Sequence, residues 1–165
     1  MSAKNFLLAL WQAASDAGLQ PSRLPLGLRT PLVWLQSLLL LGARLLLAKA
    51  FFWSGLTKLR DWDSTLVLFQ DEYQVPFLPP ELAAYAGTAG ELVLPVLLAL
   101  GLGGRFAAAG LSVVNLMAVL SLAEIAPAAL IQHQFWGALA VLLLVWGPGR
   151  LSVDAHWPAA LTRSA

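Results

Sequence analysis

The sequence predicts an all-α polytopic membrane protein, a compact bundle of four transmembrane helices. Of its 165 residues, 59% are hydrophobic and only 12% are charged, and the mean hydropathy is +0.73. A soluble domain carries about 25% charged residues. A membrane-spanning helix needs about 20 apolar residues, so four spans and their connections fill the chain. The expected partner of most of the surface is therefore the lipid bilayer.

Four apolar stretches mark the predicted spans, and they make residues 31–148 one membrane domain. The predicted spans cover about residues 32–56, 80–102, 106–123 and 127–146. Pro31, Pro80 and Pro127 stand at the starts of the first, second and fourth stretches. Proline suits the first turn of a helix, where its missing N–H would have no partner within the helix. The short connections between the later spans favour an up-down bundle.

The segments outside these spans have their own predicted positions. Residues 1–30 contain an apolar helical face that begins at Phe6, which indicates an amphipathic helix lying on the inner membrane surface. Residues 149–165 are predicted to form a cytoplasmic tail. Between the first two spans, Asp63 is placed to cap a short helical connector on the outer side.

Basic residues predict the orientation of the bundle. Positive side chains accumulate on the cytoplasmic side of membrane proteins, and here six flank one side and two flank the other. The two groups are Lys4, Arg23, Arg29, Arg105, Arg150 and Arg163 on one side, and Lys58 and Arg60 on the other. Both termini are therefore expected in the cytoplasm.

Several functional classes find no support in the sequence. The chain has no cysteine, which excludes disulfides, cysteine-ligated metals and thiol chemistry in this chain. His133 and His156 are predicted on opposite sides of the membrane, so no metal site is expected. No basic run indicates nucleic acid, and no hydrolase or nucleotide-binding motif is present.

Two opposite charges lie inside the predicted spans. Arg44 is near the middle of the first span and Glu91 is near the middle of the second. A charged group at this depth costs roughly 2.5–3.5 kcal/mol on insertion scales, so such groups face inward and find partners. Pro95 also lacks the N–H that would bond the carbonyl of Glu91, which leaves a second polar atom there. The sequence therefore predicts one interior polar site at Arg44 and Glu91.

The motifs of the chain resemble those of the DoxX family of small bacterial membrane proteins. The resemblance covers about residues 40–148 and is carried by Arg44, the segment Phe51-Phe52-Trp53-Ser54-Gly55-Leu56-Thr57-Lys58-Leu59, Val75-Pro76, Gly90-Glu91, and Leu100-Gly101 followed by Arg105. It implies a four-helix protein of the bacterial inner membrane that accompanies an oxidoreductase. A related group includes the membrane subunit of thiosulfate:quinone oxidoreductase, which implies a quinone as electron acceptor.

With this resemblance, the polar residues inside the spans each have two interpretations. Arg44 and Glu91 either contact a quinone headgroup and relay its proton, or form an ion pair that only locks two helices together. His133 either carries a proton at the quinone site or is simply hydrogen-bonded near a span's end. Asn115 either contacts the headgroup or bonds a neighbouring helix.

The leading functional prediction is a DoxX-like inner-membrane subunit of a redox system, with a quinone-accessible polar pocket and a redox enzyme as protein partner. One alternative is a noncatalytic anchor or assembly partner for soluble proteins. Another is a transport component for a small solute or metal ion. An oligomer is compatible with each of these functions.

Overall fold

The structure, a computed structural model, describes residues 26–156, with side chains from residue 31 onward. Five α-helices make up this part of the chain: α1 (Leu26–Arg60), α2 (Trp62–Asp71), α3 (Pro80–Leu100), α4 (Gly104–Leu120) and α5 (Pro127–Trp146). A 3-10 turn follows at Val153–Ala155, and the described residues contain no strand. The predicted N-terminal interfacial helix lies outside the described residues.

The predicted fold class is confirmed, because the described helices form a helical membrane bundle. Three segments are each long and apolar enough to cross a bilayer: residues 31–60 of α1, the whole of α3 and the whole of α5. α4 is also apolar but has 17 residues, so its length is about 26 Å. Its neighbours α3 and α5 have 21 and 20 residues, which corresponds to about 30 Å each.

The ends of the helices follow local sequence signals, with small shifts from the predicted spans. α3 and α5 begin with Pro80 and Pro127 in their first turns, as predicted. α1 begins at Leu26, so Pro31 lies in its second turn rather than at its start. α3 ends and α4 begins earlier than predicted, because Gly101 (φ 68°) and Gly103 (φ 57°) turn the chain through left-handed conformations that suit glycine.

The helix α2 is the predicted short connector, and it covers one end of the bundle. Its N-cap is Asp61 rather than the predicted Asp63: the Asp61 carboxylate accepts hydrogen bonds from Ser64 N at 3.0 Å and from Ser64 Oγ at 2.7 Å. The reason is that α1 ends at Arg60, so the helix restarts at Trp62. We call residues 62–79, which comprise α2 and the loop after it, the lid.

The core lies between α1, α3, α4 and α5. Leu47, Leu98, Leu111 and Leu143 contribute one side chain from each of these helices, and none is accessible to solvent. Small residues let the helices approach closely, as is usual inside a bilayer. A Cβ on Gly55 of α1 would lie 2.9 Å from the Leu92 side chain of α3. The large exposed leucines and valines on the outside of the helices suit contact with lipid.

A glycine pair tests this packing. We expect Gly101→Ala to lower the free energy of unfolding by about 2 kcal/mol, because alanine is strained at φ 68° and its Cβ would overlap the Arg44 guanidinium. Gly42→Ala is the matched control: Gly42 is helical and nothing lies within 4 Å of an added Cβ. It should raise stability by about 0.5–1 kcal/mol. Unfolding in detergent or lipid measures both; equal effects would contradict the close packing at Gly101.

Candidate functional site

An ion pair joins α1 and α3 inside the bundle. Lys58 Nζ lies 2.6 Å from Glu91 Oε2, and the same ammonium donates a hydrogen bond to Ser54 Oγ at 2.9 Å. The side chains of Lys58 and Glu91 retain only 19% and 9% of their accessible surface. A lone charge in this environment is costly, so each group partly offsets the burial of the other.

This ion pair lies on the wall of a cavity of about 560 Å³ beneath the lid. All five helices contribute to the wall, at the end of the bundle that the lid covers. The lining residues are Ala50, Phe51, Ser54, Lys58, Phe69, Tyr73, Val75, Leu78, Ala83, Ala86, Gly87, Glu91, Val113, Val114, Met117, Ala118, Ser121, Leu122, Gln132, His133 and Trp136. The wall is mainly apolar, with a few polar groups that converge on the interior, which is the usual character of a small-molecule site.

The lid closes this end of the cavity through contacts with three helices. Phe69 of the lid packs on Ala83 and Ala84 of α3. Gln74 N donates a hydrogen bond to the carbonyl oxygen of Ser121 at 2.8 Å, after the end of α4. Thr65 Oγ1 donates to the carbonyl oxygen of Lys58 at 3.0 Å, at the end of α1. The lid therefore covers this end of the cavity.

Tyr73 of the lid adds a hydroxyl group to the cavity wall. Burial raises the pKa of Tyr73 above its usual value, and the negative charges of Glu72 and Glu91 raise it further. The phenol therefore stays protonated throughout the physiological range and remains able to donate a hydrogen bond.

His133 lines the cavity from α5, and Asn115 of α4 holds it. Asn115 Nδ2 donates to the carbonyl oxygen of His133 at 3.0 Å, and Asn115 Oδ1 lies 2.9 Å from His133 Nδ1. The backbone carbonyl oxygen of His133 can only accept, so the NH₂ group of the Asn115 side chain must point toward it. The side-chain oxygen of Asn115 then points toward the His133 ring. His133 Nδ1 then carries the hydrogen, and the neutral ring has its lone pair on Nε2. Asn115 thus both bridges two helices and fixes the tautomer.

These groups give the cavity acid–base and hydrogen-bonding chemistry. Lys58, Tyr73 and Ser54 supply donors, whereas Glu91 and neutral His133 supply acceptors. The charge of Glu91 acts electrostatically on both Tyr73 and His133. Among the described residues, no three His, Asp or Glu side chains lie close enough together to hold a metal ion.

Arg44 lies at the opposite end of the bundle, outside the lining of this cavity. It is fully buried, and Nη2 donates a hydrogen bond to the carbonyl oxygen of Leu151. The negative charge of Asp154 acts on it, while Nε and Nη1 have no hydrogen-bond partner among the described residues. We call residues 147–156, which pack against α1 here, the clasp.

Asp154 of the clasp holds the start of α4. Its two carboxylate oxygens accept hydrogen bonds from Gly103 N at 2.9 Å and Gly104 N at 2.8 Å. A carboxylate at a helix N-terminus satisfies unpaired N–H groups and complements the helix dipole. Asp154 is only 1% exposed. Its carboxylate accepts hydrogen bonds from the start of α4, and its negative charge also acts electrostatically on the buried Arg44 guanidinium.

The predicted joint site of Arg44 and Glu91 needs correction, because the structure separates the two residues. Gly55 of α1 faces Glu91, whereas Arg44 faces Gly101 at the end of α3. Gly55 lies eleven positions after Arg44 in the helix, which corresponds to about 16 Å. The prediction assumed that Arg44 marks the middle of its span. α1 has 35 residues, however, and its part before Arg44 continues past the end of α3 beside the clasp.

The structure brings together two of the predicted site residues and adds others. Glu91 and His133 share the cavity, and Asn115 supports His133 from behind. The sequence analysis placed neither Lys58 nor Tyr73 at the site. A signal for Lys58 was present, because Arg44, Ala48, Phe51, Gly55 and Lys58 follow one another in steps of three or four and so share one face of α1.

The fold and cavity define a helical membrane protein with an interior polar site. The profile of the DoxX family matches residues 39–124, which is just over half of the chain. The chain belongs to the DoxX family. Comparisons with curated proteins and with solved structures give no significant match. The matched region contains Arg44, Lys58 and Glu91 but ends before His133 and the clasp.

The clasp gives a stability prediction. Asp154→Ala uncaps α4 and removes a negative charge that acts on buried Arg44, so we expect a loss of about 2 kcal/mol in the free energy of unfolding. Arg44→Met combined with Asp154→Ala should recover part of this loss, because no buried cation remains. Chemical unfolding of the single and double variants measures the coupling between the two residues. Strictly additive losses would contradict it.

The His133 tautomer gives a spectroscopic prediction. The chain has two histidines, so a protein labelled with ¹⁵N-histidine gives only two sets of ring signals. We expect neutral His133 to be protonated at Nδ1 in the native chain and to become a tautomer mixture in Asn115→Leu. Loss of this interhelical contact should also cost about 1 kcal/mol. Ser112→Ala, on the same helix, is the control and should leave the ring signals unchanged.

Proposed function

We propose that this DoxX-family protein binds the headgroup of a quinone in the cavity beneath the lid and serves as the membrane-embedded quinone site of a redox system. One observation carries the proposal: the Lys58–Glu91 ion pair and His133 face a cavity of about 560 Å³ whose walls are otherwise mainly apolar. The resemblance to proteins that accompany quinone-linked oxidoreductases supplies the choice of ligand.

The size and chemistry of the cavity fit a substituted ring. Pockets for small organic ligands occupy about 300–1,000 Å³ and combine apolar walls with a few placed polar groups. Phe51 and Trp136 offer aromatic surfaces for a ring, and Lys58 offers a charged donor for a ring oxygen. We assign this contact to Lys58 because Arg44, the cation predicted from the sequence, lies outside the cavity lining.

In the proposed mechanism, this chain handles protons and a partner protein supplies electrons. A quinone takes up two electrons and two protons to become a quinol. The Lys58 ammonium stabilises negative charge on one ring oxygen by a charge-assisted hydrogen bond. Glu91 and His133 pass on protons, and Asn115 keeps His133 Nε2 as the nitrogen that exchanges them. The lid limits direct contact with water at its own end.

The proposal includes the cellular setting that the sequence favours. We place the protein in the bacterial inner membrane with both termini in the cytoplasm, so that the lid covers the outer end of the bundle. A redox enzyme binds to the membrane subunit and provides the electron donor.

A noncatalytic role is the second candidate, and the ion pair itself favours it. Lys58 and Glu91 join α1 to α3, so the pair also fixes the position of one helix along the other. In this alternative, the bundle anchors or assembles soluble proteins at the membrane, and the cavity binds no redox-active ligand.

A paired substitution separates these two functions. Lys58→Met combined with Glu91→Gln removes both charges without leaving one unpaired in the bilayer. We expect it to weaken quinone binding in lipid nanodiscs by about tenfold or more, because a hydrogen bond to a charged group contributes about 1.5–3 kcal/mol. Glu81→Gln is the control, since Glu81 lies on the same helix but is exposed and outside the cavity lining.

Titration of a quinone into each variant gives the dissociation constants, and thermal unfolding verifies that the bundle remains folded. Unchanged quinone affinity in the folded double variant would overturn the headgroup assignment and favour the noncatalytic function. Absence of quinone binding by the native chain would refute the proposed function itself.

A further inference from the structure

The wall of the cavity beneath the lid includes exposed residues of α3 and α4. Ala86 of α3 and Val113 of α4 line the cavity, and both are also exposed on the outer surface of the helices. Ala86 lies about 9 Å along α3 from Pro80, and Val113 lies about 10 Å along α4 from Leu120. An opening here would lie well inside the spanning helices and would face acyl chains in a bilayer that α3 and α4 cross.

Close contacts bound this opening at both ends and give it the shape of a slot. On one side, α3 and α4 touch: a Cβ on Gly90 would lie 3.1 Å from Val114, and one on Gly110 would lie 2.7 Å from Leu94. On the other side, the lid is fastened to α4 by the hydrogen bond from Gln74 N to the Ser121 carbonyl. We call the gap between Ala86 and Val113 the α3–α4 slot.

Polarity changes across the cavity from the slot to the ion pair. Beside the slot, Ala83, Val113 and Met117 present only apolar atoms. Lys58 and His133 belong to the walls formed by α1 and α5, and Glu91 lies about 7.5 Å further along α3 than Ala86. A ligand that fits this gradient has a polar headgroup at one end and an apolar chain at the other. An entirely polar solute would lose its hydrogen bonds to water on the apolar side of the cavity and would find no new partners there.

We propose that the ligand enters from the bilayer through the α3–α4 slot and that, when bound, its apolar tail extends through the slot into the lipid. The substrate class is therefore a membrane-dissolved molecule with a polar ring and a long hydrocarbon tail. The identity of the ring rests on the proposed function, whereas the route for the tail rests on the exposed lining residues and the polarity of the cavity.

A pair of tryptophan substitutions tests the slot. Val113→Trp places a large side chain at its edge. Val93→Trp is the matched control, because Val93 is an equally exposed valine, 56% against 57% for Val113, but does not line the cavity. Each variant in nanodiscs is titrated with a quinone that has a long alkyl tail and with the same ring without a tail. Val113→Trp should weaken binding of the tailed quinone about tenfold and change the tailless one by less than about twofold. Val93→Trp should change neither.

If Val113→Trp weakens binding of both quinones equally, or of neither, the proposal that the tail passes through the α3–α4 slot is wrong. A second measurement tests the slot without a quinone, so that its outcome does not depend on the proposed function. A hydrocarbon probe carrying a photoreactive diazirine is dissolved in the bilayer, and its attachment to cavity residues Phe51 and Met117 is mapped by mass spectrometry. We expect labelling of both residues in the native chain and its loss in Val113→Trp only. If quinone does not bind but this pattern appears, the proposed function fails and the slot stands. If neither residue is labelled, the slot fails.

Discussion

Each charge inside the bundle needs a partner, because the bilayer offers no water to solvate it, and the arrangement of the helices reflects this constraint. Lys58 and Glu91 meet 2.6 Å apart beneath the lid. At the opposite end, Arg44 depends on a backbone carbonyl and on the charge of Asp154. The described part of the bundle therefore has two separate polar sites, one beneath the lid and one beside the clasp, rather than a single site that joins Arg44 to Glu91. Only the site beneath the lid adjoins the cavity. The site at Arg44 and Asp154 therefore has a structural role, whereas the site at Lys58 and Glu91 can also contact a ligand.

Small residues bring the helices into contact, and the cavity lies where this close packing is relaxed. Gly90 and Gly110 let α3 and α4 touch toward the clasp. Nearer the lid, Ala86 and Val113 line the cavity and are also exposed on the outside of the bundle. The lid covers the end of the cavity without filling it. The same helices therefore provide both tight packing and an interior site.

Much of the fold could be predicted from the sequence, because proline, glycine and hydropathy act locally. The start of α5 at Pro127 and the turn after Leu100 follow from such signals. The site was predicted in part. Glu91 and His133 were identified because polar atoms are rare in such spans, but Arg44 was predicted at the same depth as Glu91, whereas the structure separates the two residues. Hydropathy could not correct this, since the residues before Arg44 are as apolar as those after it.

The sequence by itself determined the class of protein, the family resemblance and the presence of interior charges, since these depend on composition and order along the chain. The tertiary structure decided which charges meet. The pairing depends on the position of α1 along α3. Contacts such as that of Gly55 with Leu92 fix this position, and the two residues of such a contact lie far apart in the sequence. The lid cavity has the same origin, because its wall combines side chains from five helices. No periodic pattern within one helix specifies such a space.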